Sequence, residues 1–280
     1  MISRVTSVTR TSRASFGRQD ARMTDESATS VARGVHYEPH GRVALITVSD
    51  PAKRNALALD LAEQLVDAVR RAEKDPEIGA IVVTGAKPGF CAGADLSQLG
   101  ASKEEGLRNI YSGFLAVAET PLPTIAAVDG AAVGAGMNLA LACDVRLAGP
   151  KARFDSRFMQ LGLHPGGGYT WMVERILGPQ GAAAATLFGE IIDATEAERI
   201  GLVWRSVEDP VAAALEMAAR AGDAPKDLVM TTKRTMKVTS VLDSQADAVE
   251  VEIRSQVASL ESPAFAERLA ALKAKVSTKR

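Results

Sequence analysis

The chain has 280 residues, 46% of them hydrophobic and 24% charged, which is enough apolar content to bury a large core and excludes collagen, coiled coil and wholesale disorder. Its 33 lysines and arginines against 34 acids leave a formal net charge of −1, so nothing draws it generally to nucleic acid or an anionic membrane, and an anionic ligand must be held by local groups. Cys91 and Cys143 are the only cysteines; with no CxxC or Cys/His pairing they exclude a disulfide scaffold, imply no structural zinc and point to a reducing compartment.

In chain order, Met1 to Arg22 carries Arg4, Arg10, Arg13, Arg18 and Arg22 among Ser and Thr, without the apolar stretch of a secretory signal. That composition also suits an organelle transit peptide, and Met23 offers a second start. Either way, residues 1–34 are expected to form a disordered N-terminal extension. The expected location is cytoplasmic, with an organelle matrix as the alternative if residues 1–22 are a transit peptide. The longest apolar runs, Pro123 to Val128 and Ala131 to Ala142, stop well short of a span of about 20 residues, so no membrane partner is expected.

From Arg42 the pattern becomes regular. VALITV reads as a strand, and Ala58 to Lys74 as a helix with Leu61, Leu65 and Val69 on one face. AIVVTG (Ala80 to Gly85) is a buried strand. A glycine-rich loop and a helix over Glu104 to Glu119 lead to two more strands, TIAAVDG (Thr124 to Gly130) and DVRLAG (Asp144 to Gly149), with a short helix between them after Gly134. This alternation implies βα units and a largely parallel sheet. Beyond Gly178 the reading is helical: Gln180 to Gly189, Ala194 to Ile200, Val211 to Ala221, Lys226 to Val238, Val241 to Leu260 and Pro263 to Lys275. The expected plan is an α/β core over 35–200 and a helical C-terminal region over 201–280.

Generic catalytic signatures fail. Gly134-Ala-Gly136 follows a strand but has Leu139 where a dinucleotide fingerprint needs glycine, and neither a P-loop nor GxSxG is present. His36 and His40, with Glu38 between them, lie in a Gly- and Pro-flanked stretch read as solvated surface; no metal site is expected. His164 stands in LGLHPGGG, where glycines let backbone approach a ligand. Two segments are suited to backbone N–H donation. GAKPGFCAGADL (Gly85 to Leu96) turns out of a strand, and VDGAAVGAGMNLA (Val128 to Ala140) turns into a helix N-terminus. Amides from both, facing one point, would stabilise an oxyanion; each could equally be a tight turn set by packing.

DPAKRNAL (Asp50 to Leu57), GFCAGADL (Gly89 to Leu96), PTIAAVDGAAVGAGMNLALACDVRLA (Pro123 to Ala148) and LGLHPGGG (Leu161 to Gly168) occur in one order. In that order and spacing the chain resembles the crotonase superfamily, the enoyl-CoA hydratase/isomerase family, from about Gly34 onward. The resemblance implies a spiral of ββα repeats with a helical C-terminal trimerisation region, a homotrimer or homohexamer, and acyl-CoA thioesters as ligands. No separate cofactor is implied, since CoA is part of the substrate. By position, the N–H groups of Ala94 and Ala135 would form the oxyanion hole, Ala135 standing where glycine is usual. Lys53, Arg54 and Ala56 would lie along the CoA nucleotide and pantetheine, while Ala92, Asp95 and Leu96 would flank the thioester. An enolate formed at such a thioester needs donors placed in advance, one of which is typically worth ~3 kcal/mol of barrier.

The pattern is broken where the resemblance implies carboxylates. The two hydratase glutamate positions carry Asn138 and Phe158, and the isomerase carboxylate position carries Gly166. None of these can exchange a proton, and general acid/base groups usually contribute about 10²–10⁴-fold. Possible substitutes are His164, Asp155 and Glu190. Asp155 is read chiefly as a helix cap, and Cys91 as a packing residue. Two readings follow: an enzyme with altered chemistry, or a scaffold that binds acyl-CoA with little or no turnover.

Overall fold

The computed structural model describes residues 31–98 and 103–277, so the expectations for Met1 to Arg22 and for a start at Met23 lie outside the described residues. The strands are β1 (Gly34–His40), β2 (Val43–Ser49), β3 (Ala80–Gly85), β4 (Thr124–Val128), β5 (Ala131–Val133), β6 (Val145–Ala148), β7 (Arg153–Asp155), β8 (Ile192–Asp193) and β9 (Arg205–Ser206). The helices are α1 (Leu59–Lys74), α2 (Lys103–Glu119), α3 (Ala135–Ala142), α4 (Tyr169–Thr186), α5 (Ala194–Arg199), α6 (Pro210–Gly222), α7 (Lys226–Thr239), α8 (Gln245–Leu260) and α9 (Pro263–Ser277).

A six-stranded sheet runs β1-β2-β3-β4-β6-β9, and a three-stranded sheet runs β5-β7-β8. Only the β1–β2 hairpin is antiparallel in the large sheet. Its central strands are apolar on both faces because both faces are covered. Ala44, Ile46, Val48, Ile81, Val83 and Ala126 pack with Leu65 and Val69 of α1 and Ile110, Phe114 and Val117 of α2. Val43, Leu45, Val82, Ile125 and Leu147 point the other way, onto Ala214 and Ala218 of α6. Helix α6 starts sharply because the Asp209 carboxylate accepts from the N–H groups of Val211 and Ala212, both at 3.0 Å, and Pro210 opens the first turn.

Several elements differ from the sequence reading. The stretch holding His36 and His40 is strand β1, and it is not merely solvated: Tyr37 packs beneath the Arg71 guanidinium, 4.0 Å from the ring centre. The chain joins the fold before β1, since Ser49 Oγ donates to the Val31 carbonyl at 3.0 Å and Arg33 binds both Asp50 and Asp60. A single expected helix from Gln180 is instead α4, which begins at Tyr169 and is broken at Gly178 (φ 69°) just before Pro179. Asp155 caps no helix. It ends β7, buried, with its carboxylate on the Arg157 guanidinium.

Helices α7, α8 and α9 bury little in one copy of the chain. The exception is Lys233 of α7, whose ammonium donates to the Leu122 carbonyl at 2.7 Å and meets Asp144 at 2.6 Å, fastening α7 to the loop before β4. No helix among the described residues is long and apolar enough to cross a membrane.

Candidate active site

The site is assembled from loops at the carboxyl ends of the parallel strands. After β3 the chain returns through Gly89 to Leu96, and this return is hydrogen-bonded along β5. Cys91 N–H donates to Ala131 O, and Val133 N–H donates to Cys91 O, both at 3.0 Å. The same loop pairs on its other side with Leu57, whose N–H reaches Gly93 O at 2.8 Å while Asp95 N–H reaches Leu57 O at 2.8 Å. This ladder bypasses the Ala94 N–H. Strand β5 then runs through Gly134 (φ 50°) into α3, whose first residue is Ala135, a position with no carbonyl one turn back to accept its N–H. Two segments whose Ala94 and Ala135 amides have no partner among the described residues are thereby sewn together through Cys91.

Asn55 holds the remaining loop in place. It is buried with φ 62°, its Oδ1 accepts from Asp50 N–H at 3.0 Å, and its Nδ2 donates to Ala86 O at 2.7 Å and Gly89 O at 3.0 Å. Asparagine tolerates that left-handed conformation better than most residues.

These loops enclose a cavity of about 500 Å³ lined by Arg54, Asn55, Ala92, Ala94, Leu96, Tyr111, Ala135, Asn138, Phe158, His164 and Gly166, among others. Nine expected site residues therefore meet in the wall, namely Ala94, Ala135, His164, Asn138, Phe158, Gly166, Arg54, Ala92 and Leu96, whereas Lys53, Ala56 and Asp95 are not part of it. Lys53 instead borders a separate hollow beside Leu59 and Gln98, with its ammonium on Asp95 at 2.5 Å. That contact, followed by Ser97, holds the Asp95 carboxyl below its ordinary range, and Asp95 in turn raises Lys53. Exposed Glu190 does not reach the cavity.

The wall contains no Asp or Glu among the described residues; its cations are Arg54, Lys87 and Arg157. Phe158 stands edge-on to Tyr169 (5.1 Å between ring centres) and close to Gly134, an apolar surface beside the second amide. Asn138 Nδ2 donates to Gly166 O at 2.8 Å, which fixes the amide's orientation and leaves its buried Oδ1 without a partner among the described residues. His164 is exposed, and its Nδ1 faces the Pro165 carbonyl at 2.7 Å. A carbonyl only accepts, so Nδ1 carries the proton and Nε2 is the open acceptor. Cys91 is inert: burial pushes its thiol up to about 11.

Asn55 and Tyr111 escaped the sequence reading. Asn55 lies within DPAKRNAL, but its contacts are to carbonyls of a distant loop. Tyr111 sits in α2 beside Phe114, 5.5 Å between ring centres, in a pattern that reads simply as core.

Comparison with known proteins agrees with this architecture. The profile of the enoyl-CoA hydratase/isomerase family matches residues 38–275. A Mycobacterium tuberculosis protein named probable enoyl-CoA hydratase EchA14 is 54% identical over 238 residues, covering 82% of this chain and 93% of its own. The 1,2-epoxyphenylacetyl-CoA isomerase of Escherichia coli is 32% identical over 217 residues, covering 73% of this chain and 83% of its own. Among solved structures, an enoyl-CoA hydratase from Bacillus anthracis superposes with a TM-score of 0.80 at 28% identity, covering 86% of this chain and 96% of its own.

Proposed function

This chain belongs to the enoyl-CoA hydratase/isomerase family, and on that premise we propose that it binds an acyl-CoA thioester with the carbonyl oxygen between the N–H groups of Ala94 and Ala135. The observation that carries the reading is the ladder through Cys91, which ties two free amides into the wall of one cavity. Donors fixed before charge develops stabilise an enolate oxygen without reorganisation at the moment of reaction. Arg54 and Lys87 supply positive charge for the phosphates of CoA, Arg157 being paired with Asp155, and the acyl group lies toward Phe158 and Leu96. CoA enters as part of the substrate; no separate cofactor is invoked.

With Asn138, Phe158 and Gly166 at the positions where the family resemblance expects carboxylates, ordinary water addition lacks its acid/base pair. Asn138 Oδ1 can accept a hydrogen bond from a substrate or water without moving a proton. His164 Nε2, at the rim, is the acceptor placed to take a proton. The chemistry that fits is proton removal and return next to the polarised thioester, as in isomerisation. The carboxylate-free wall also favours a second reading, a binding protein with weak turnover.

The test is the absorption of a conjugated acyl-CoA thioester on binding. A red shift is expected with the parent protein and not with a folded Ala135→Pro variant, which deletes one N–H at a helix position that tolerates proline. An equal shift in both would reject Ala135 as a donor.

A further inference from the structure

Tyr111 lines the cavity from α2. Its hydroxyl lies against Gly166 so closely that a Cβ built on Gly166 would be 2.2 Å from Oη. Gly166 is the same residue whose carbonyl orients Asn138. The Tyr111 hydroxyl has no hydrogen-bond partner among the described residues; its ring is half-buried against Phe114, and it shares the cavity wall with the unpartnered Asn138 oxygen, the rim histidine, Arg54, Lys87 and the Ala94 and Ala135 amides. A hydroxyl held on a packed ring at the cavity wall, at a point where a side chain on Gly166 would displace it, is placed to meet a bound ligand.

We propose that Tyr111 is a catalytic residue, the proton donor that returns a proton to the α-carbon of a thioester enolate held in this cavity. The inference rests on the acyl-CoA reading above and extends it. In the step, the Tyr111 O–H bond breaks and a Cα–H bond forms with the electron pair of the enolate double bond, while the enolate oxygen regains its carbonyl double bond. The tyrosinate takes its next proton from solvent, to which the base that opened the cycle has released the first. Burial holds the Tyr111 phenol above its ordinary range, so it is protonated at neutral pH and serves as donor.

The experiment follows deuterium incorporation at Cα of butyryl-CoA in D2O by mass spectrometry, alongside calorimetric binding of butyryl-CoA and the absorption shift of a conjugated thioester. In Tyr111→Phe, incorporation should fall by about 10²-fold, with affinity and the absorption shift kept. Gly166→Ala should reproduce the loss, because its methyl pushes aside only the far end of the tyrosine and the chain still folds. Incorporation unchanged in Tyr111→Phe overturns the proposal, as does a parent protein that binds and shifts the thioester but exchanges nothing. A parent that neither binds nor shifts it overturns the acyl-CoA reading itself, and this inference with it.

Discussion

Gly136 and Cys91 touch through backbone: a Cβ on Gly136 would fall 2.0 Å from the Cys91 carbonyl oxygen and 2.8 Å from its carbonyl carbon. Helix α3 can therefore approach the Gly89–Leu96 loop only because position 136 has no side chain, and that approach sets the spacing of the Ala94 and Ala135 amides. Gly136→Ala cannot be relieved by turning a rotamer. Overpacking of this kind costs about 1–3 kcal/mol. Thermal unfolding should show the loss, and the folded fraction should bind a conjugated acyl-CoA without the parent's absorption shift. Parent-like stability together with a parent-like shift would mean that the contact does not set the spacing.

Asn55 should be indispensable to the loops for a different reason. Asn55→Ala leaves the carbonyls of Ala86 and Gly89 without their amide donor, a penalty of about 1–3 kcal/mol. Asn55→Asp should be worse at neutral pH, since a carboxylate would face those carbonyls with nothing to donate. Denaturant titration should rank the parent first, alanine second and aspartate last. Aspartate equal to the parent would refute the donor role.

The Lys53–Asp95 contact makes a pH prediction. Lys53, then Ser97, depresses the Asp95 carboxyl in the folded state. Folding thus favours the ionised form; the contribution is present above the unfolded value near ~4 and fades as pH falls through the lower folded value. The Tm difference between parent and Asp95→Asn should shrink from about pH 6 to about pH 2, and should be smaller in high salt because Lys53 is half-exposed. A constant difference over that range would show that the pair contributes nothing through its charge.

Much of the fold is legible in the sequence, for reasons that differ by element. Strands β2, β3 and β4 stand out because burial on both faces selects unbroken Val, Ile and Ala, and α1 because its buried positions recur at helical spacing. Strands β5, β7, β8 and β9 have two or three residues each, too few to show a period of two. Within the site, the amide-bearing turns are visible through their glycines. Asn55 and Tyr111 are not, because the contacts that place them in the site, with Ala86 and Gly89 and with Gly166, are to segments remote in sequence, and local pattern carries no trace of such partners.

The C-terminal helices should complete themselves on other copies of the chain. Val249, Ile253, Val257 and Leu260 of α8, with Phe265, Leu269, Leu272 and Val276 of α9, are exposed at helical spacing. A trimer or a dimer of trimers is the expected assembly. Sedimentation of the parent at micromolar concentration should give that mass, and Ile253→Asp combined with Leu272→Asp should lower it. A monomeric parent would leave these faces without the assigned role.

Hydration of crotonyl-CoA is the reaction that the site is least equipped to perform. Adding water at Cβ needs a base set against that water, and the cavity wall offers neither Asp nor Glu among the described residues. Phe158 adds a steric obstacle, its ring filling the side of the cavity beside Gly134. The hydration rate should therefore be at least ~100-fold below that of a family member carrying both glutamates. If His164 Nε2 supplies the residual activity, the rate should collapse in His164→Ala. Installing the two carboxylates together, Asn138→Glu with Phe158→Glu, should raise hydration by about 10-fold or more, whereas Asn138→Glu alone should not, because Phe158 still excludes the water. Full hydration by the parent that survives His164→Ala would contradict this account, since it would require a base outside the residues that line the cavity.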